Sequence, residues 1–111
     1  MRAAVEELSP QAFCERWPES ERDDIVLLDV RDADELDLAA LPRALHIPMM
    51  EIPQRLSELD PERPVVVMCH TGVRSRHVAG FLVANRFKRV FNLAGGIDAW
   101  SIEVDTELPR Y

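Results

Sequence analysis

An apolar run that ends in a thiol constrains the fold of this chain more than any other feature. Residues 65–68 read Val-Val-Val-Met, and Cys69 follows them directly. A continuous β-branched run predicts a buried strand of a parallel sheet. In open α/β sheets, ligands bind beyond the carboxyl ends of the strands, where a short loop leads into a helix. Cys69 is therefore predicted to be a reactive thiol at a ligand-binding edge.

The six-residue segment from Cys69 to Arg74 is predicted to bind an anion. The backbone N–H groups of such a loop, and the positive end of the helix after it, both favour a thiolate over a thiol. We expect these N–H groups to point inward as an anion nest, with Gly72 supplying a backbone conformation that side chains forbid. Arg74 is expected to donate charge-assisted hydrogen bonds to the anion, and Ser75 to cap the helix.

Strands and helices alternate along the rest of the chain. Further strands are predicted at residues 25–28, 43–47 and 90–93, and helices at 10–17, 32–36, 52–59, 78–85 and 97–100. This alternation predicts a parallel sheet with helices on both faces. No linker, internal repeat or low-complexity segment interrupts the 111 residues. We therefore expect one α/β domain that spans residues 1–111.

Composition narrows the class of protein. The chain is 47% apolar and 30% charged, a balance typical of globular proteins rather than disordered ones. No apolar run reaches the length of a membrane span, and the first residues lack a signal-peptide pattern, so a cytoplasmic protein without a membrane partner is expected. Cys14 and Cys69 form no CxxC pair, and the three histidines are scattered, so no metal site is predicted.

Charge is distributed unevenly along the chain. The formal net charge is −7, yet residues 63–97 contain no Asp or Glu. That stretch carries six basic residues: Arg63, Arg74, Arg76, Arg86, Lys88 and Arg89. The surface around the Cys69 loop is therefore expected to be locally positive and to steer a small anion towards the thiol. The overall acidity argues against a nucleic-acid partner.

Three motifs follow one another in a recognisable order. They are Asp29-Val30-Arg31 with Glu35, the loop at residues 69–75, and Leu93-Ala94-Gly95-Gly96-Ile97-Asp98-Ala99-Trp100. Together they resemble the rhodanese-like sulfurtransferase domain, and the resemblance covers nearly the whole chain. It implies a three-layer α/β fold in which a five-stranded parallel sheet lies between helices.

The resemblance also implies a chemistry. Cys69 corresponds to the nucleophile, which takes a sulfane sulfur from an anionic donor such as thiosulfate and holds it as a covalent persulfide, without a cofactor. The sulfur then passes to cyanide or to a thiol. The substrate-binding loop comprises His70, Thr71, Gly72, Val73, Arg74 and Ser75. Asp29, Arg31 and Glu35 are expected to form a buried polar network that fixes the strand end beside this loop.

Two other functions stay open at the level of the sequence. Phosphatases and arsenate reductases of related fold have a cysteine loop one residue longer, so the four residues between Cys69 and Arg74 favour sulfur over phosphorus chemistry. Residues 99–111 are similar to the ends of rhodanese domains fused to adenylyltransferases that supply sulfur to sulfur-carrier proteins. That similarity favours a sulfur-relay or regulatory protein-binding module, with a sulfur-carrier or thiol protein as acceptor and little turnover of small molecules.

Overall fold

The structure is a computed structural model that describes residues 4–111. Its five strands are β1 (Val5–Leu8), β2 (Val26–Asp29), β3 (Leu45–His46), β4 (Val65–Met68) and β5 (Val90–Leu93). Every strand pair is parallel, and the spatial order is β1-β5-β4-β2-β3. The helices are α1 (Pro10–Arg16), α2 (Ala33–Leu38), α3 (Ile52–Arg55), α4 (Val73–Ala84) and α5 (Gly96–Glu103). The α/β fold with a five-stranded parallel sheet, predicted from the sequence, is confirmed.

The central strand β4 explains why helices cover both faces of the sheet. Val66 and Met68 point into a core that they share with α1 and α5. Val65 and Val67 point the other way, into a core that they share with α3 and α4. All four side chains are completely buried. A strand whose alternate residues enter two different cores needs an unbroken apolar sequence, and this is the pattern that precedes Cys69.

Strand β1 was not predicted from the sequence. Its residues Val5-Glu6-Glu7-Leu8 place two exposed glutamates side by side, so the apolar alternation of a strand is absent. The strand forms at the edge of the sheet, where backbone pairing with β5 aligns Val5 with Val90 and Leu8 with Leu93. Tertiary pairing, rather than local propensity, determines its structure.

Other element boundaries also differ from prediction. The strand expected at residues 43–47 contains only Leu45–His46, and the helix expected at 52–59 divides into α3 and a 3-10 turn at Leu56–Glu58. Two further 3-10 helices lie at Glu19–Asp24 and Met49–Glu51. Among residues 4–111, none of the helices combines the length and apolar character that crossing a bilayer requires.

The carboxyl ends of three adjacent strands bring the motifs together. Strand β4 lies between β2 and β5, with Met68 opposite Asp29 and Val67 opposite Asn92. Cys69 therefore emerges between the segment after β2, which carries Arg31, and the segment after β5, which leads into α5. The order of the strands thus places all three sequence motifs at the carboxyl-terminal end of the sheet.

Candidate active site

The Cys69 thiol lies at the start of a loop whose N–H and O–H groups converge on its sulfur. Its Sγ accepts hydrogen bonds from the backbone N–H groups of Gly72, at 3.1 Å, and Ser75, at 3.4 Å. Ser75 Oγ lies 3.3 Å from the same sulfur. Gly72 has φ +98°, in the left-handed region, and this conformation lets the chain turn so that N–H groups face the sulfur. Cys69 is only 1% exposed, so solvent reaches very little of its sulfur.

These donors change the acidity of the thiol. Burial by itself raises the pKa of Cys69, because a thiolate loses solvation. The Ser75 hydroxyl and the N–H groups of Ser75, Gly72 and Thr71 have the opposite effect, and together they bring the pKa of Cys69 below its ordinary value. Helix α4 also starts at this point, and its positive end favours an anion. The site therefore favours a thiolate, the nucleophilic form of cysteine.

Ser75 has a different role from the predicted helix cap. Helix α4 begins at Val73, with Gly72 as its N-cap residue, so Ser75 lies within the first turn. Its side chain is fully buried and faces Cys69 rather than solvent. The prediction of Ser75 as a cap was wrong because the left-handed glycine allows the helix to start directly at the end of the short loop.

A serine substitution tests the contribution of this hydroxyl. In Ser75→Ala, we expect the pKa of Cys69 to rise, so the increase in alkylation rate with pH moves to higher pH and the rate at neutral pH falls. Ser101→Ala is the matched control, because Ser101 is also buried but its hydroxyl bonds the carbonyl of Ile97 within α5. Iodoacetamide alkylation followed across pH measures both variants. Equal shifts in the two variants would contradict the assignment.

Asp29 and Arg31 form a buried ion pair beside the loop. Arg31 Nη2 lies 2.7 Å from Asp29 Oδ2, and Arg31 Nε donates to Oδ1 at 3.0 Å. Both side chains are essentially unexposed. A buried pair of this kind is costly to break from one side only, because the remaining charge has no partner. The structure thus brings Asp29 and Arg31 together as the sequence analysis expected.

Glu35 and Arg74 form a second ion pair that joins α2 to the loop. The two terminal nitrogens of Arg74 each lie 3.0 Å from a Glu35 oxygen. Burial acts to raise the pKa of Glu35, but the bidentate Arg74 guanidinium outweighs it and lowers that pKa. The ionised pair therefore stabilises the fold above the ordinary carboxyl range, and this contribution is lost as the pH falls through the lowered pKa.

This pairing gives Arg74 a partner that was not expected from the sequence. From the sequence, Arg74 is expected to donate to a bound anion; in the structure both of its terminal nitrogens bind Glu35. The charge of Arg74 is therefore compensated by a neighbouring carboxylate, and the backbone N–H groups converge on Cys69 independently of this pair. Sequence spacing could not show this, because Glu35 lies 39 residues away.

The locally positive surface predicted around the loop is weaker than expected. Three basic residues of the stretch 63–97 pair with acids that lie outside it. These pairs are Arg74–Glu35, Arg76–Glu7 and Lys88–Glu62. The fold thus brings acidic segments against the basic one, and this reduces the field that would steer an anion over a distance.

The backbone of α5 holds the start of the loop. The N–H of Ile97 donates to the Cys69 carbonyl at 2.9 Å, and that of Asp98 donates to the His70 carbonyl at 3.1 Å. Gly96 has φ +61°, and a Cβ there would lie 2.4 Å from the Cys69 carbonyl oxygen. Glycine at position 96 is therefore required by close packing against Cys69 and His70, a role that was not assigned from the sequence.

Asn92 is a second residue that the sequence analysis missed. Its fully buried side chain donates from Nδ2 to the Gly72 carbonyl at 3.1 Å and to Glu7 at 3.0 Å. It therefore holds the loop to the strand next to β4. A single polar residue inside the apolar strand 90–93 was the available signal, because buried amides are normally there to make specific hydrogen bonds.

The two cysteines lie in different environments. Cys14, on α1, packs against the core on the α1 and α5 side of the sheet, whereas Cys69 belongs to the opposite core. Both are free thiols. Burial is the main cause that raises the pKa of Cys14, although Arg22 acts against it. Cys14 is therefore less ionised than an ordinary cysteine, and only Cys69 has the features of a nucleophile.

The fold and the site together define a class of protein. A parallel α/β sheet carries, beyond its central strand, a thiolate-favouring cysteine inside a loop of inward N–H groups, which is the arrangement of a cysteine nucleophile. The family model of the Rhodanese-like domain matches residues 16–103, and the chain belongs to this family.

Individual relatives agree with this assignment. A protein named sulfurtransferase from Allochromatium vinosum is 37% identical over 97 residues, covering 87% of this chain and 89% of that protein. Thiosulfate sulfurtransferase GlpE of Coxiella burnetii is 38% identical over 86 residues, covering 78% and 80%. A crystal structure of a rhodanese-like domain protein from Staphylococcus aureus has a TM-score of 0.80 and 28% identity, covering 96% and 99%. The two relatives named as sulfurtransferases support sulfurtransferase activity at the level of the family.

Proposed function

We propose that the protein transfers a sulfane sulfur from an anionic donor such as thiosulfate to a thiophilic acceptor through a persulfide on Cys69. The observation that carries this proposal is the convergence of Gly72 N–H, Ser75 N–H and Ser75 Oγ on Cys69 Sγ. A persulfide is anionic at neutral pH, and the same donors stabilise it. No cofactor is required, because the transferred atom stays covalently bound to the protein.

The proposed reaction has two displacement steps. In the first, the Cys69 thiolate attacks the outer sulfur of thiosulfate, the Sγ–S bond forms, and the S–S bond of thiosulfate breaks with its electron pair leaving on sulfite. In the second, cyanide or a thiolate attacks the terminal sulfur of the persulfide. The Sγ–S bond then breaks, and its electron pair restores the Cys69 thiolate. Each step is a nucleophilic displacement of the kind that an activated cysteine supports.

The burial of the thiol suits this sequence of steps. Cys69 is 1% exposed, so a bulky acceptor does not reach Sγ easily. The sulfur added in the first step lengthens the Cys69 side chain by one S–S bond of about 2.05 Å. We propose that the persulfide brings the transferable atom to the mouth of the loop, where an acceptor can attack it.

The same geometry disfavours phosphoryl chemistry. A phosphate ester would need a cationic partner for its oxygens, and both terminal nitrogens of Arg74 already bind Glu35. We therefore propose sulfur transfer and keep hydrolysis of an aryl phosphate as the test of the alternative. Hydrolysis that depends on Cys69 would support the hypothesis that the protein is a phosphatase.

One observation favours a protein acceptor as the second candidate function. Val73, the first residue of α4 and part of the segment around Cys69, is 56% exposed, although it is apolar. A protein acceptor such as a sulfur carrier would cover this side chain, whereas cyanide would leave it in water. The free Cys14 and Cys69 thiols suit a reducing compartment, and we propose the cytoplasm.

Intact-mass measurement tests the proposed function directly. The wild-type protein is exposed briefly to thiosulfate and then to cyanide, and its mass is measured after each step. We expect the mass to rise by one sulfur atom and to return to its starting value with cyanide. Failure of thiosulfate to load sulfur, combined with rapid loading by a protein persulfide donor, would instead support the sulfur-relay function.

A further inference from the structure

Tyr111 lies outside all three sequence motifs, yet it contacts His70 of the Cys69 loop. The ring of Tyr111 stacks on the imidazole of His70, with centroids 3.9 Å apart and an angle of 7° between the planes. The Tyr111 hydroxyl accepts a hydrogen bond from Arg31 Nη1 at 3.0 Å. Burial raises the pKa of Tyr111, so the phenol stays protonated at neutral pH and accepts as a neutral hydroxyl.

Residues 105–111, called here the return segment, bring Tyr111 to this position. The segment starts with a turn in which Leu108 N–H donates to the Asp105 carbonyl at 3.1 Å, and Leu108 packs against the core on the α1 and α5 side. Arg110 then binds Asp98 of α5, with Nε 2.8 Å from Oδ1. The N–H of Asp98 donates to the His70 carbonyl, so two successive residues of the segment act around His70.

The two partners of Tyr111 connect to opposite ends of the loop. His70 directly follows the nucleophile and begins the turn that carries the N–H groups of Thr71 and Gly72. Arg31 donates to the Glu35 carbonyl at 3.4 Å, and the Glu35 carboxylate binds Arg74, where the loop ends. Tyr111 therefore touches one end of the loop directly and reaches the other end through Arg31 and Glu35.

The orientation of the His70 ring depends on this stack. His70 Nε2 is buried, and it makes no hydrogen bond to any other residue within 4–111. No hydrogen bond at this atom holds the imidazole in place, whereas the Tyr111 ring lies parallel to it at 3.9 Å. We infer that Tyr111 is a positioning residue for sulfur transfer, which holds His70 and Arg31 so that the loop N–H groups remain aimed at Cys69.

This inference rests on the proposed function, but its consequence is measurable without sulfur transfer. If the loop loosens, the N–H donors stabilise the thiolate less, and alkylation of Cys69 moves to higher pH. The charged groups around the loop stay the same in the variants below. They are Arg74 on α4, Asp29 at the end of β2, Arg31 after that strand, Glu35 on α2, and Asp98 on α5 with its partner Arg110.

The experiment compares three variants in a Cys14→Ser background, so that Cys69 is the single thiol. Tyr111→Leu removes the stack and the hydroxyl, Tyr111→Phe keeps the stack, and Ile25→Ala is the control that lowers stability in the core at the start of β2, away from the loop. We expect Tyr111→Leu to slow alkylation at neutral pH about threefold or more and to move the profile to higher pH. Tyr111→Phe should lie between Tyr111→Leu and wild type.

Two further readouts separate positioning from a loss of stability. Ile25→Ala should lower Tm and leave the pH profile unchanged, and proton NMR should show the His70 ring-current shift in wild type and Tyr111→Phe but not in Tyr111→Leu. A wild-type pH profile in Tyr111→Leu would overturn the inference. If wild type does not accept sulfur from thiosulfate but Tyr111→Leu still shifts the profile, the proposed function fails and the positioning role of Tyr111 stands.

Discussion

Replacing Cys69 by serine is expected to abolish sulfur loading and to reduce thiosulfate:cyanide transfer by about 10³-fold or more. A serine hydroxyl is not ionised at neutral pH, and it cannot form the S–S bond that holds the transferred atom. The loop donors should remain in place, because the side chains are almost the same size and the N–H groups belong to the backbone. Initial rates of thiocyanate formation and the intact mass measure the result.

Cys14→Ser is the matched control for this substitution. Cys14 is the second thiol in the chain, but it contacts the opposite core and has a raised pKa. Its replacement should leave the rate of sulfur transfer unchanged. Persistent transfer in Cys69→Ser, or its loss in Cys14→Ser, would show that the sulfur is carried elsewhere and would remove the basis of the proposed mechanism.

Replacing Gly96 by alanine is expected to destabilise the fold by about 3 kcal/mol or more. The added Cβ would lie 2.4 Å from the Cys69 carbonyl oxygen and 2.5 Å from that of His70, and both are backbone atoms that cannot rotate away. The φ of +61° adds strain for any residue with a side chain. Relief of the clash requires α5 or the end of β4 to move, and either movement displaces the loop. Urea denaturation measures the change in unfolding free energy.

Gly80→Ala is the control for this glycine substitution. Gly80 lies inside α4, and a Cβ there would meet no atom within 4 Å. Alanine should stabilise α4 by up to about 1 kcal/mol, because glycine loses more backbone entropy on helix formation. A neutral Gly96→Ala variant, or equal destabilisation by both substitutions, would contradict the packing role of Gly96. A folded Gly96→Ala variant should also alkylate more slowly at Cys69.

The sequence allowed the fold to be predicted where local pattern and tertiary environment agree. The apolar run of β4, covered on both faces, has one structural solution, and its exit into a glycine-containing loop located the thiol. Strand β1 could not be predicted in this way, because Glu6 and Glu7 have no strand pattern of their own. Its structure depends on pairing with β5, which is 85 residues away for the register pair Val5–Val90.

In the candidate site, too, local pattern could be predicted and contacts between distant residues could not. The sequence indicated which residues lie near Cys69, and the structure places Asp29, Arg31 and Glu35 at that edge. The sequence did not indicate which of these residues pair with one another. An arginine in such a loop is expected to bind an anion, and the sequence does not show that Arg74 also binds Glu35. Contacts such as Tyr111 with His70 join residues far apart in sequence, and neither residue type shows in advance that the two rings will stack.

The order of the strands has a consequence for the synthesis of the protein. Strand β1 is made early but pairs with β5, and the carbonyls of Cys69 and His70 are bound by N–H groups of residues 97 and 98. A growing chain emerges from the ribosome amino end first, so these pairings cannot form until β5 and the first residues of α5 have been translated. The backbone contacts that hold the start of the Cys69 loop are therefore absent when the loop itself is made. We expect the loop to reach its final geometry only after β5 and α5 have been translated.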